Sequence, residues 1–223
     1  MRPLKNTSVA RTSRQTTVGG AARRETILEA VLRVISRDGI RAVKHRAVAL
    51  EAEVPLAATT YYFSSLQDLL SEGFIHWNLR IKSEVDRFSE AAQAVVGSVD
   101  SETLQSDPQR KKVAEAVCEL TINYLIRQAG QGRDDRNIES AFRHEALRDN
   151  RLRDLVVQQD QLMLAAIVNF NRKLRTVDPS ADAEISLAIF LHLEQQALMS
   201  GLDSAHIRRV VTRHFSQLTG VSL

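Results

Sequence analysis

The chain has 223 residues, 43% hydrophobic and 26% charged, with one cysteine and a formal net charge of +3. That composition supports one large core or two small domains and excludes a largely disordered chain. Cys118 has no intramolecular partner, which suits a reducing compartment, and no run approaches the ~18 uninterrupted apolar residues of a membrane helix.

Only 9 Gly and 4 Pro punctuate a chain rich in Ala, Leu, Val, Glu, Arg and Gln, so helix is the expected element throughout. Charge is unevenly placed. Residues 1–64 hold eleven Lys and Arg against five acids, a net of +6 that leaves −3 for the rest. A basic end on an acidic body points to a polyanion partner at that end.

Residues 1–22 are rich in Ser, Thr, Gly and Arg, contain no acid, and show no apolar periodicity. They read as a flexible basic arm. An arm lying along a nucleic acid, an inert tail and an organellar transit peptide share this composition; a secretory signal does not, for want of an apolar segment. From Arg23 the pattern turns helical, with Ile27, Val31, Val34 and Ile35 at helical spacing and Gly39 as the stop. Two short segments follow, Lys44 to Ala52 and Pro55 to Tyr62. Ser65 with Asp68 has the capping-box spacing and opens a long helix to about Val96.

Past Asp107-Pro108 a helix carries Val113, Val117, Leu120, Tyr124 and Leu125 and breaks at the polar stretch Gly130–Asp135. Further helices are predicted over about Arg136–Leu147, Leu152–Leu174 and Asp178–Gly201, and from Asp203 or Ser204 to about Gly220. The fold class is therefore all-α, with about nine helices and no convincing strand.

The informative constellation is the short pair Lys44–Ala52 and Pro55–Tyr62, joined by about three residues. This is helix-turn-helix spacing, in which the second helix can enter a major groove. Ala49 and Ala52 supply the small contacts where the helices cross, with Val48 and Val54 as apolar backing. The run Ala52-Glu53-Val54-Pro55-Leu56-Ala57-Ala58-Thr59-Thr60-Tyr61-Tyr62-Phe63 resembles the TetR family of one-component repressors. Members there read roughly Ala-Gly-Val-Ser-x-Gly-Thr-Leu-Tyr-Tyr-His-Phe, with a Lys or Arg three residues after the Phe. The likeness in residues covers about 23–70. Beyond it only helix count and length agree.

The resemblance implies a helix-turn-helix DNA-binding domain over 23–68 and an effector-binding and dimerisation domain over 69–223. It implies a homodimer reading a pseudo-palindromic double-stranded operator, a small-molecule effector, no cofactor, no membrane partner and a cytoplasmic place of work. Carried over by position, DNA contacts fall on Lys44, His45 and Arg46 in the second helix, and on Leu56, Ala57, Ala58, Thr60 and Tyr62 in the third. Tyr61 and Phe63 are expected in the core. Ligand-pocket candidates are Trp77, Ile81, Val117, Thr121, Tyr124, Phe142, Leu162, Ala166 and Phe170.

Three departures stand out. Glu53 replaces the turn glycine, Pro55 replaces the capping serine, and Leu66 replaces the basic residue of the fourth helix. The arm is expected to offset that missing charge. A different class, a helical ligand- or partner-binding protein without DNA affinity, is favoured by Glu53 and Leu66. Enzyme and metal readings have little to rest on: no Gly-x-Ser-x-Gly elbow occurs, Gly130-x-Gly132 lacks a preceding strand, and His206 and His214 have no Cys or acid at ligand spacing.

Overall fold

A computed structural model describes residues 9–97 and 107–223. Among the described residues there are nine α-helices and no strand, in agreement with the predicted class. They are α1 Val9–Asp38, α2 His45–Glu51, α3 Leu56–Tyr62, α4 Leu66–Gly97, α5 Asp107–Gly130, α6 Arg133–Ala146, α7 Asn150–Leu174, α8 Pro179–Ser200 and α9 Ser204–Thr219, with a single 3-10 turn at Ile40–Ala42. The chain forms two compact units, one ending at Trp77 and the other running from Asn78 to Leu223.

Helix α1 begins at Val9, so residues 9–22 of the expected arm are helical, while residues 1–8 lie outside the described residues. No proline interrupts Val9 to Asp38, and weak helix formers such as Gly19 and Gly20 lower propensity without breaking the ladder. The helix ends at Gly39, whose φ of 81° a side chain would resist.

In the first unit, Ile27, Leu28, Val31, Leu32, Val34 and Ile35 bury one face of α1 against Val43, Val48, Ala49, Phe63, Leu69, Phe74 and Trp77. Two links tie α1 to the start of α4: Arg24–Glu72 at 2.8 Å and Glu29–His76 at 2.7 Å. The Arg24 guanidinium also lies 5.4 Å from the centre of the Phe63 ring. The forward half of the predicted capping box is present, with the Asp68 amide donating to Ser65 Oγ at 3.0 Å, while the Asp68 carboxylate accepts from Ser64 Oγ.

In the second unit α5 packs on α8 and α9, and α7 on α6 and α8. Its main core joins Val113, Val117, Cys118, Ile122 and Leu125 of α5 to Leu193 of α8 and Ile207, Val211 and Phe215 of α9. Side-chain caps set the helix starts: Asp149 accepts from the Leu152 amide, Asp178 from Ser180 and Ala181, and Asp203 from His206. Helix α6 starts at Arg133, three residues before the predicted Arg136. The turn needs only two residues because Gly132 passes close to α5, where a Cβ would stand 2.9 Å from the Gln128 carbonyl oxygen.

Candidate functional site

Helices α2 and α3 pack on one another, with Thr59 of α3 fully buried. Its Oγ1 donates to the Leu56 carbonyl of its own helix at 2.8 Å and lies 3.5 Å from the His45 carbonyl oxygen, too far for a strong bond. Packing, not this hydroxyl, sets the middle of α3 beside the first turn of α2. Around this buried residue, Lys44, Arg46, Leu56, Ala57 and Thr60 are exposed, and His45, Ala58 and Tyr62 are half-buried. Lys44 is the N-cap of α2 in extended backbone, so Lys44, His45 and Arg46 stand at a helix start where free amides favour an anion.

The aromatic pair divides differently from expectation. Phe63 is buried, but Tyr61 is 82% exposed and stands outside the core. The reason is helical phase: Thr59 and Phe63 lie four residues apart on the inner face, which turns position 61 outward. Tyr62 meets Tyr61 edge to face at 5.1 Å, and its hydroxyl lies 3.5 Å from where a Cβ at Gly20 would be. Thr60 Oγ1 donates to the Ala57 carbonyl at 3.2 Å. His45 Nδ1 is buried with no hydrogen-bond partner, which leaves Nε2 as its nitrogen for an outside contact.

Glu53 occupies the turn with φ 54°, in the left-handed region that the missing glycine would favour. Pro55 caps α3 at φ −58° without a side-chain hydrogen bond. Leu66 is exposed where a cation was expected. Elsewhere on the head, Arg33 and Arg37 are committed to Glu51, at 2.7 and 2.8 Å, and hold its carboxyl below the usual range.

The second unit contains a cavity of about 590 Å³ walled by α4, α5, α7, α8 and α9. Phe88, Phe170, Phe190 and Phe215 supply aromatic walls, and Thr121, Asn171 and Ser186 supply polar groups. Four of the nine sequence candidates line it: Val117, Thr121, Ala166 and Phe170. The others do not. Trp77 is buried in the first unit beside Phe74, and Phe142 is fully buried core. Leu162 is 65% exposed. Ile81 is buried away from the lining, and Tyr124 stacks on Phe88 behind it, with ring centres 4.6 Å apart. Periodicity marks an inner face, and it does not say which inner residues border a void.

Most of the lining was missed by sequence reasoning, Ser186 among it. Ser186 Oγ donates to the Asp182 carbonyl at 2.7 Å and lies 2.8 Å from His214 Nε2, so the imidazole donates from that nitrogen. Burial holds His214 below the usual histidine range, which keeps it neutral.

No sequence-family model matches the chain, and no curated protein does. Solved structures match over nearly its whole length. A TetR-family member from Streptomyces coelicolor A3 is 25% identical over 86% of this chain and 97% of its own, with a TM-score of 0.58. The multidrug binding protein EbrR, complexed with ethidium, is 26% identical over 86% and 97%, with a TM-score of 0.61. Both likenesses support a TetR-family regulator. A further TetR-family regulator, from Mesorhizobium loti, is 13% identical, covers 90% of this chain and 96% of its own, and has a TM-score of 0.68, which speaks to fold alone. The neighbours are transcriptional regulators, and the chain's likeness to them is that of a DNA-binding transcriptional regulator. No described helix is long and apolar enough to cross a membrane.

Proposed function

We propose that this chain is a TetR-family regulator, a cytoplasmic homodimeric repressor released from a pseudo-palindromic operator by a small molecule. The observation that carries the reading is the packing of α2 on α3 about the buried Thr59. It leaves Arg46, Leu56, Ala57, Thr60 and Tyr61 in solvent. Arg46 pairs bidentately with a guanine edge or a phosphate, and Lys44 and His45 take phosphates. Leu56, Ala57 and Ala58 meet thymine methyls, and Thr60 and Tyr62 donate hydroxyls to phosphate. Tyr61 joins them because it has no core to fill. Thr60 gives up its bond to the Ala57 carbonyl when it does so.

The effector is assigned to the 590 Å³ cavity, whose size and aromatic walls suit a drug-sized, largely apolar molecule. The likeness to EbrR, seen with ethidium and with proflavin, supports an aromatic effector. Helix α4 carries cavity residues Phe88, Ser89, Ala92 and Gln93 on the same continuous helix as the head residues Leu69, Phe74 and Trp77. Release is then a population shift: the ligand stabilises one setting of that helix over another.

The test is selection of bound duplexes from a random pool by the full chain, followed by binding measurements on the enriched sequence. Arg46→Ala should weaken that binding by roughly ten- to a hundredfold, the worth of one bidentate contact. A pool that yields no enriched sequence, or an Arg46→Ala protein that binds undiminished, overturns the reading.

A further inference from the structure

A second concavity, of about 320 Å³, lies in the same unit and shares no lining residue with the effector cavity. Helices α6 and α8 form it around a buried ionic cluster. Arg136 Nη1 lies 2.5 Å from Glu139 Oε2 and 3.4 Å from Glu194 Oε2. Arg143 donates to Glu139 Oε1 at 3.0 Å and grips Asp160 with two hydrogen bonds of 2.7 and 2.9 Å.

Two guanidiniums thus face three carboxylates, and the deficit falls on one residue. Glu139 and Asp160 each hold close charge-assisted bonds. Glu194 has only the longer contact to a guanidinium already committed to Glu139. The nearest other cation on α6, Arg133, is turned to the α8 carbonyls of Ala197 and Leu198, at 3.5 and 2.9 Å.

Yet Glu194 is only 9% exposed and lines the concavity. A buried carboxylate short of a partner costs free energy until something positive or a proton meets it. Burial accordingly lifts Glu194 to about 7, against the opposing pull of Arg136. The groups that face it are Arg136, Glu139 and Arg143 of α6 and Tyr124 of α5, whose phenol is itself pushed up to about 12 by burial and by the Glu194 charge; His144 of α6 also lines the concavity. Both guanidiniums bond Glu139 or Asp160 more closely than Arg136 bonds Glu194.

We propose that the α6–α8 concavity is a second binding site, taking a small organic cation whose amidinium or ammonium head pairs with Glu194. Leu147, Leu191 and Leu198 among its walls suit a short apolar body behind that head.

Titration calorimetry of the full chain with benzamidinium chloride, against the neutral isostere benzamide, tests this. Benzamidinium should bind saturably and benzamide should not. Affinity should rise about tenfold between about pH 6 and about pH 8, because a carboxyl titrating near 7 goes from about one-tenth to about nine-tenths ionised over that span. Glu194→Gln, which keeps shape and removes the charge, should abolish benzamidinium binding. Wild-type protein supplies an independent readout should that variant misfold: near pH 7, binding should release about half a proton, seen by comparing buffers of different ionisation heat. Equal binding of benzamide, undiminished binding by a folded Glu194→Gln protein, or a Glu194 that titrates near neutrality without saturable uptake of benzamidinium overturns the proposal. Because the effector cavity shares none of these residues, its occupancy is unaffected by any of those outcomes.

Discussion

Two single residues carry backbone or charge that ordinary proteins avoid. Glu53 holds φ 54° in the turn between α2 and α3, and a Cβ in that region costs on the order of 1 kcal/mol relative to glycine. Glu53→Gly should therefore raise the stability of the reading head by about 1 kcal/mol, seen as a higher midpoint in thermal or urea unfolding. A lower midpoint would mean that the Glu53 side chain contributes more than its backbone costs. Glu194 shifts in the opposite direction to an ordinary carboxylate. Because its folded value is raised to about 7 from 4.5, the native state binds the extra proton between those limits. Its contribution is present at low pH and is lost as pH climbs through that window. Glu194→Gln removes the titration, so above pH 7 the variant should exceed wild type in stability by ~1–3 kcal/mol, with the gap closing toward pH 5. Urea midpoints measured across that range decide it.

At the scale of helices, local chemistry explains most of the ends. Asp178 accepts from the amides of Ser180 and Ala181, both at 3.1 Å, and Pro179 follows at the first helical position, where its missing N–H costs nothing. Asp178→Ala should lower stability by about 1 kcal/mol, whereas Asp178→Ser should keep most of it; unfolding midpoints of the three proteins make the comparison. Such caps were legible in the sequence because the interacting groups lie within three residues. The start of α6 was not, because it depends on Gly132 passing the Gln128 backbone, a packing fact between two helices. The same limit explains Tyr61. Its aromatic character suggested core, and the phase of α3, set by Thr59 and Phe63 facing inward, decided for solvent.

At the scale of the molecule, α8 and α9 differ in what they leave in solvent. On α9, Ile207, Val211, His214 and Phe215 are buried in their own unit. On α8, Ile185 and Met199 are 51% and 72% exposed, and Ala188 and His192 also face solvent. That outward stripe is the proposed dimer face, since an apolar row of this length left in water is unfavourable. Ile185→Asp with Met199→Asp should convert a dimer to a monomer in light scattering and abolish operator binding, while leaving helix content intact. A wild-type monomer at micromolar concentration would refute the assignment.

Residue order alone settled the all-helical class, the helix-turn-helix pair and the polar caps, because each rests on contacts between neighbours in the chain. With the family resemblance added, Val117, Thr121, Ala166 and Phe170 were named as pocket candidates, though without being separated from Trp77 and Phe142, which fill cores instead. The cavity itself, the hydrogen-bonded Ser186–His214 pair and the charge deficit at Glu194 belong to tertiary structure. Each is a balance among helices distant in sequence, and a void or an uncompensated charge exists only once those helices have packed.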